Sequence, residues 1–267
     1  MRFNRLYAIV LRQAYLMRGS FARVLPLFVW VAIDMVLWGF ITKYLNTVAA
    51  SSLNFVPVFL GAVLLWDFFI RVMQGVTMSF FEDVWSRNFL NIFATPLSIS
   101  EYVGGLVLSS IATSSIGLVV MLGLTMVVFD LSFFSYGLLL IPFLLVLFLF
   151  GISLGIVAAG MVLRLGPASE WFVWPIPAII SPFAGVFYPI ATLPHWMQYF
   201  SHLLPPAYVF EAMRSILAGQ PVAVSLLLWS IGLAFLHILI AYAFFARMYR
   251  HAVRTGLIAR YSAESLS

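Results

Sequence analysis

Long apolar runs separated by short polar stretches dominate this chain from residue 24 onward. A spanning α-helix needs about 20 mostly apolar residues. The pattern predicts six membrane spans, over residues 24–42, 55–80, 102–129, 136–163, 171–190 and 222–246. We therefore expect an all-α membrane protein with one transmembrane domain over residues 1–267.

The first 23 residues are too polar to belong to a span. Five arginines are spread over them, so no early apolar segment of a secretory signal is present. Arg5 and Arg12 share one helical face, and the opposite face is apolar. The apolar side chains are Phe3, Leu6, Tyr7, Val10 and Leu11. We predict an amphipathic interface helix within residues 1–23 on the inner membrane surface, with a plain basic tail as the alternative.

Composition supports the membrane assignment. The 267 residues are 64% hydrophobic and 9% charged, whereas a soluble domain carries about 25% charged residues. The chain has no cysteine, which excludes a disulfide framework, a thiol nucleophile and a cysteine metal site. The net charge of +5 does not indicate nucleic-acid binding, because the arginines are spread between apolar runs.

The basic residues indicate the orientation. Six spans place both termini on one face, and 12 of the 14 lysine and arginine residues lie on that face. Only Lys43 and Arg214 lie on the other. The positive-inside rule then places both termini, the 82–98 segment and the basic tail 247–267 in the cytoplasm.

The polar stretch between the second and third predicted spans reads EDVWSRNFLNIFATPLSISE. Its first part predicts a short surface helix with Phe89 and Phe93 on one face. Proline lacks an N–H and disfavours helical geometry in the preceding residue, so Pro96 should end this helix. Ser98 and Glu101 fit a capping box ahead of the third span. On these grounds alone, a plain loop between two spans is the stronger interpretation.

The same stretch, with the following YVGG, resembles the cytoplasmic coupling segment of ABC-2 type transporter permeases. In that family an acidic residue, a short helix and an (A)TPLS turn precede the third span. Residues 85–88 depart from the family pattern, which often has glycine and a second acidic residue there. The resemblance implies docking to a separate ATP-binding subunit. The residues assigned to coupling on this basis are Glu82, Asp83, Arg87, Leu90, Phe93, Ala94, Thr95, Pro96 and Leu97.

Residues 191–220 are rich in proline but too apolar for a solvated loop. Irregular backbone at membrane depth must be covered by protein or line a water-filled cavity. We therefore expect short re-entrant helices in the outer leaflet before the last span. The segment also resembles the ABC-2 pattern that caps the outer end of the translocation path. The matching residues are Ser181, Gly185, Pro189, Pro194, Pro205, Tyr208, Glu211 and Arg214.

Charged residues within or near the spans are candidates for the path. A lone carboxylate such as Asp34 at mid-span costs at least ~2.5 kcal/mol, so it should face protein or water. A substrate contact and a buried hydrogen-bonded aspartate explain Asp34 equally well. The spacing of Asp67 and Arg71 favours an ion pair along one helix, whereas Glu211 and Arg214 form either a local pair or a gate. The path or gate candidates are Asp34, Asp67, Phe183, Phe187, Tyr188, Glu211 and Arg214.

Missing motifs argue against an enzyme. Lys43 is the only lysine, and Thr42 precedes it where a Walker A loop requires glycine. The chain also lacks HExxH, the motif of zinc proteases. A GxSxG match, GISLG at residues 151–155, lies inside a long apolar run rather than between a strand and a helix, so it does not indicate a serine hydrolase. We expect no catalytic residue, metal or cofactor in this chain.

The family resemblance implies the permease subunit of an ATP-driven exporter in the bacterial inner membrane. Two copies of this chain would pair as a homodimer in membrane lipid, and each would dock one ATP-binding cassette subunit that binds ATP and Mg²⁺. The implied cargo is amphipathic or lipid-linked: a drug, a lipid or a glycan. The alternative is an ion- or proton-coupled secondary transporter that uses Asp34 and Asp67. Residues 1–130 and 131–267 show no convincing inverted repeat to support it.

Overall fold

Helices make up nearly all of the described backbone. The computed structural model describes residues 3–48, 56–86, 88–131 and 137–257, and these ranges contain no β-strand. Five helices in them are long and apolar enough to cross a membrane: Phe28–Val48, Val58–Trp85, Ile99–Phe129, Gly137–Leu165 and Val224–Arg254. The predicted all-α membrane class is confirmed.

The α-helices are numbered in chain order: α1 (Phe3–Arg18), α2 (Phe21–Val48), α3 (Gly61–Trp85), α4 (Phe89–Ala94), α5 (Ile99–Phe129), α6 (Leu140–Leu165), α7 (Ile176–Ala184), α8 (His195–His202), α9 (Pro205–Leu217) and α10 (Val224–Arg254). A π-helical segment, Val56–Leu60, leads into α3. Short 3-10 helices at Pro167–Phe172 and Ile190–Thr192 lie on either side of α7.

Helix α3 is the centre of the bundle. Most of its side chains are buried, and α5 and α6 both pack along it. On the α6 side, a Cβ added to Gly155 would lie 2.8 Å from the carbonyl oxygen of Met73. On the α5 side, the Ser110 hydroxyl donates to the carbonyl of Val72 at 2.8 Å. Small residues and interhelical hydrogen bonds of this kind hold helices together in membranes, where lipid gives no hydrophobic drive for association.

Three helices extend by five residues or more beyond the C-terminal ends of the predicted spans. Helix α2 continues to Val48, although a loop was predicted from Lys43, and α3 continues from the predicted end at residue 80 to Trp85. Helix α10 reaches Arg254 instead of residue 246. Each predicted span ends where the hydrophobicity of the sequence falls. The helix itself continues until a residue that disfavours helical backbone, and neither proline nor glycine lies in these extensions.

The predicted fifth span, residues 171–190, is not one continuous helix. A 3-10 helix precedes α7, which has nine residues and ends at Gly185 with φ +61°. Nine residues reach about 14 Å, roughly half the hydrocarbon thickness. Pro175 directly precedes α7, and the left-handed Gly185 followed by Pro189 ends the helical run, so the break lies on both sides of α7. The sixth crossing is therefore not confirmed.

Candidate functional site

The basic face of α1 turns toward the bundle. Gln13 is buried and donates to the carbonyl of Ser79 at 3.2 Å. Ile9 sits over Gly105 of α5 so closely that an added Cβ would lie 2.6 Å from the isoleucine. The opposite face leaves Tyr7 and Tyr15 exposed. The predicted helix is present, but the side that carries its arginines is the side that packs on protein.

Asp83 is a fully buried carboxylate in the last turn of α3. Arg12 of α1 forms an ion pair with its Oδ1 atom. The hydroxyl of Tyr102 on α5 donates to its Oδ2 atom at 2.8 Å. A buried charge is tolerated when it is both paired and hydrogen-bonded. This network, called here the inner junction, joins α1, α3 and α5 at one point.

A second contact ties α1 to the turn after α4. Thr95 adopts an extended backbone and ends α4, as the following proline predicts. The predicted capping box is present: the Ser98 hydroxyl accepts from the N–H of Glu101 at 3.3 Å, and Glu101 Oε2 accepts from the N–H of Ser98 at 3.0 Å. Arg5 donates to Glu101 Oε2 at 3.3 Å and also to the carbonyl of Pro96.

The residues assigned to coupling fall into different environments. Glu82 and Asp83 belong to α3, and Asp83 has no surface with which to touch a partner. Leu90 and Phe93 lie on α4, and only their backbone is described, whereas Arg87 lies outside the described residues. Ala94 ends α4, and the remaining residues form the turn that follows it. Ala94, Thr95 and Pro96 are exposed, and Leu97 is half-buried.

The charges within the membrane form a group that extends over two helices. Asp34 of α2 interacts electrostatically with both Asp67 and Arg71 of α3. Gly117 of α5 makes room for Arg71, whose Cδ atom would lie 3.1 Å from an added Cβ. The carboxylate atom Oδ2 of Asp67 is buried without a hydrogen-bond partner among the described residues. The pairing of Asp67 with Arg71 along α3 stays a prediction, and Asp34 belongs to the same group of charges.

The outer candidates are brought together around the turn after α7. Glu211 and Arg214 of α9 pair at 2.9 Å and also contact the backbone of this turn. The ring of Phe187 stacks on Trp38 of α2, with centroids 5.4 Å apart and planes at 17°. The neighbouring Tyr188 hydroxyl donates to the carbonyl of Pro182 at 2.9 Å.

Phe183 belongs to a separate aromatic group. It makes edge-on contacts with Trp196 and Phe200 of α8, at 6.4 and 6.0 Å between centroids. These two rings are more than half exposed. Phe183 therefore joins α7 to α8 rather than to α2.

A small cleft lies between α3 and the residues around the start of α7. Its lining is mostly apolar, with Gln74 and Thr77 as the polar contributors. The lining residues are Met73, Gln74, Thr77, Met78, Phe81, Val173, Trp174 and Pro177.

The architecture and the inner junction together define a multi-pass helical membrane protein whose first helix is fastened to the turn between two long membrane helices. The sequence model of the ABC-2 type transporter family matches residues 6–218. The match runs from α1 to the end of α9, so the chain belongs to the ABC-2 type transporter family. No curated protein matches the chain.

Family membership makes this chain a transmembrane permease of an ABC transporter. Permeases of this family are membrane subunits that associate with an ATP-binding subunit. The predicted resemblance is confirmed.

Proposed function

We propose that this chain is the permease subunit of an ATP-driven exporter that moves an amphipathic or lipid-linked cargo out of a bacterial cell across its inner membrane. The inner junction is the observation that supports this proposal most strongly. It fastens α1, α3 and α5 together beside an exposed turn, Ala94–Pro96. A subunit that docks on α4 and this turn can therefore displace three helices at once.

The contacts around the turn after α4 transmit a movement of this turn to the membrane helices. Arg5 binds the carbonyl of Pro96 and the carboxylate of Glu101, so movement of the turn reaches α1. Glu101 lies in the first turn of α5, and Asp83 lies in the last turn of α3. Because α3 is the buried centre of the bundle, a push on the turn tilts the bundle rather than bending a loop.

The cleft beside α3 lies on the same side of the bundle as α7, and its lining is mostly apolar with Gln74 and Thr77 as polar groups. We propose that α2, α3 and the broken segment around α7 line the path, and that this segment completes a sixth crossing. Both termini then lie in the cytoplasm, where the positive-inside rule places the basic residues.

The complete exporter in this proposal contains two copies of this chain and two ATP-binding cassette subunits. The partner subunits bind ATP and Mg²⁺, because this chain lacks a Walker A loop. Closure of the two partners around ATP pushes the paired turns and rocks the two bundles.

An ion- or proton-coupled transporter is the second candidate. The buried Oδ2 atom of Asp67, close to Asp34 and Arg71, favours it, because an intramembrane carboxylate is a candidate for proton or ion transfer. In that case the chain transports without an ATPase.

Co-purification distinguishes the two candidates. The tagged chain extracted in detergent should bring down a protein with a Walker A loop in about equal amount, and the pair in lipid nanodiscs should hydrolyse ATP. Leu90→Asp and Phe93→Asp should each abolish most of this hydrolysis by placing a charge in an apolar contact. His251→Asp, at the exposed end of α10, is the matched control and should leave it unchanged. Uphill transport by the purified chain alone, without nucleotide, contradicts the exporter proposal.

A further inference from the structure

We propose that the inner end of α10 is a binding site for the phosphate of an anionic phospholipid, formed by Arg247, Arg250 and Arg254. These three residues are called here the arginine stripe. The inference goes beyond the proposed function, because it rests on the membrane fold and not on the ATP-driven role.

The arginine stripe occupies one face of the last two turns of α10. Its members are three and four positions apart, which places them on the same side of an α-helix. All three are exposed, and the ion pairs found among the described residues include none of them. The Nε atom of Arg250 donates to the carbonyl of Ala246 in its own helix at 3.1 Å. The positive charge of the stripe is therefore available to a partner from outside the chain.

The opposite face of these turns packs on the protein. Phe245 and Ala252 are buried, and Met248 and Tyr249 are half-buried against the core. The helix is thus held in place on both sides of the point where its apolar run ends. A ligand of the arginine stripe meets a backbone that is already ordered, which lowers the entropic cost of binding.

The length of α10 places the arginine stripe at the level of the lipid headgroups. Trp229 is exposed on the same face, near the outer end of the helix. The 18 residues from Trp229 to Arg247 span about 27 Å, close to the ~30 Å thickness of the hydrocarbon core. Tryptophan favours one membrane interface and arginine the cytoplasmic one, so the two ends of this face fit the two interfaces.

The neighbouring helix α6 gives the same depth independently. The ring of Phe150 contacts His237, and an added Cβ on Gly160 would lie 3.4 Å from the Cα atom of Phe245. The two helices therefore run in the same direction, and the level of Gly160 is that of Phe245. Helix α6 ends five residues later, at Leu165. The arginine stripe thus begins where α6 ends.

The apolar side chains that precede the stripe on this face are also exposed: Leu236, Leu239 and Ile240. Lipid tails are as apolar as leucine, so an acyl chain can lie along them. A lipid in that position carries its phosphate to the arginine stripe. A second copy of the chain does not fit there, because a twofold axis would set one stripe against the other and like charges repel.

The chemistry of the stripe favours a headgroup with net negative charge. The planar guanidinium of arginine binds phosphate oxygens through two parallel hydrogen bonds. In phosphatidylcholine, the choline cation offsets the phosphate charge, whereas in phosphatidylglycerol nothing does. Clusters of basic residues next to a membrane helix attract anionic lipids, and each residue adds to the attraction.

Lipid binding by the full chain with its co-purified partner tests the proposal. The protein in detergent micelles is titrated with dioleoylphosphatidylglycerol or dioleoylphosphatidylcholine, and native mass spectrometry counts the bound lipid. The unaltered chain should bind phosphatidylglycerol about tenfold more tightly or better. The triple variant Arg247→Gln, Arg250→Gln and Arg254→Gln should bind both lipids equally. Equal affinities in the unaltered chain overturn the proposal.

A matched pair of single variants separates the site from net charge. Arg250→Gln and Lys43→Gln each remove one positive charge from an exposed position, at opposite ends of the bundle. Arg250→Gln should weaken phosphatidylglycerol binding by about fivefold. Lys43→Gln should leave the affinity unchanged. Equal losses would mean that the lipid responds to the charge of the whole protein, and they overturn the arginine stripe as a site.

Replacement of all three arginines by lysine keeps the charge without the planar fork, and it serves if the glutamine variant does not fold. Its preference for phosphatidylglycerol should be smaller than that of the unaltered chain, and an unchanged preference overturns the role of the guanidinium groups.

Two further outcomes identify a different occupant. Excess inorganic phosphate should not displace phosphatidylglycerol, because it makes no contact with the apolar face of α10. Displacement would show a site for free anions and overturn the lipid as occupant. A preference that appears only after the partner has been removed assigns the stripe to a protein contact and likewise overturns the proposal.

Discussion

The two ends of the bundle each use an arginine and a carboxylate, but for different purposes. At the inner end, Arg12 and Asp83 belong to different helices, and the carboxylate is fully buried. At the outer end, Glu211 and Arg214 belong to one helix, and the Glu211 side chain is 41% exposed. The inner pair joins helix to helix, whereas the outer pair holds an irregular turn by its backbone.

This difference follows from what each end lacks. The inner end is built from regular helices whose backbone is already satisfied, so a side chain can bind another side chain. The outer end contains prolines and a left-handed glycine, which leave carbonyl and N–H groups without helical partners. Charged side chains there replace the missing backbone partners. Stability should therefore depend on charge pairing mainly at the inner end.

The largest expected effect comes from Asp83→Ala. This change leaves Arg12 partly buried without its carboxylate and should cost about 3–5 kcal/mol of unfolding free energy. Titration with denaturing detergent, followed by tryptophan fluorescence, measures the loss. The double variant Arg12→Met with Asp83→Leu should be less destabilised, because it leaves no unpaired charge. Equal losses in the single and double variants would show that the buried pair does not act as a unit.

A matched pair of tyrosines compares the two ends directly. Tyr102→Phe removes a hydrogen bond to the buried carboxylate of Asp83 and should cost about 1.5–3 kcal/mol. Tyr188→Phe removes a bond to the carbonyl of Pro182 and should cost about 0.5–1.5 kcal/mol. The same detergent titration measures both. A larger loss at Tyr188 would reverse the proposed order of the two ends.

Gly105→Ala tests how closely α1 must sit on α5. The new methyl would lie 2.6 Å from Ile9, so α1 has to shift, at about 1–3 kcal/mol. Adding Ile9→Ala should relieve the clash. Gly123→Ala is the control on the same helix, because nothing lies within 4 Å of its added Cβ. If both glycine variants lose the same unfolding free energy, the close packing of α1 on α5 does not contribute to stability.

The smallest effect should come from Glu101→Gln. Glutamine can still accept from the N–H of Ser98, so only the attraction to Arg5 is lost, about 1 kcal/mol or less for a partly exposed pair. Glu101→Ala also removes the cap and should lose about 1 kcal/mol more. Thermal unfolding in detergent resolves the two. Equal losses would assign the role of Glu101 to its charge rather than to the cap.

Local features of the sequence were predicted well. The capping box of Ser98 and Glu101 involves residues three apart, and the end of α4 at Thr95 follows from the next proline. The inner junction could not be predicted, because Arg12 and Asp83 are 71 residues apart. The hydropathy pattern placed Asp83 outside the second predicted span. Hydropathy reports where apolar side chains become fewer, and it does not report whether the backbone helix continues.

The broken helix around α7 was missed for the opposite reason. Its residues are apolar enough for a span, but the helix is broken before α7 at Pro175 and after it at Gly185 and Pro189. Proline density was used to predict short helices only from residue 191 onward. The same criterion, applied from Pro175, would have found the break.

The packing of α1 against α3 and α5 has a consequence for biogenesis. Two of its arginines, Arg12 and Arg5, bind Asp83 and Glu101, which are 71 and 96 residues further along the chain. During synthesis α1 leaves the ribosome well before either acceptor exists. Because Glu101 belongs to α5, α1 can complete both contacts only after the start of α5 has been made, so α1 reaches its final place later than its position in the chain suggests.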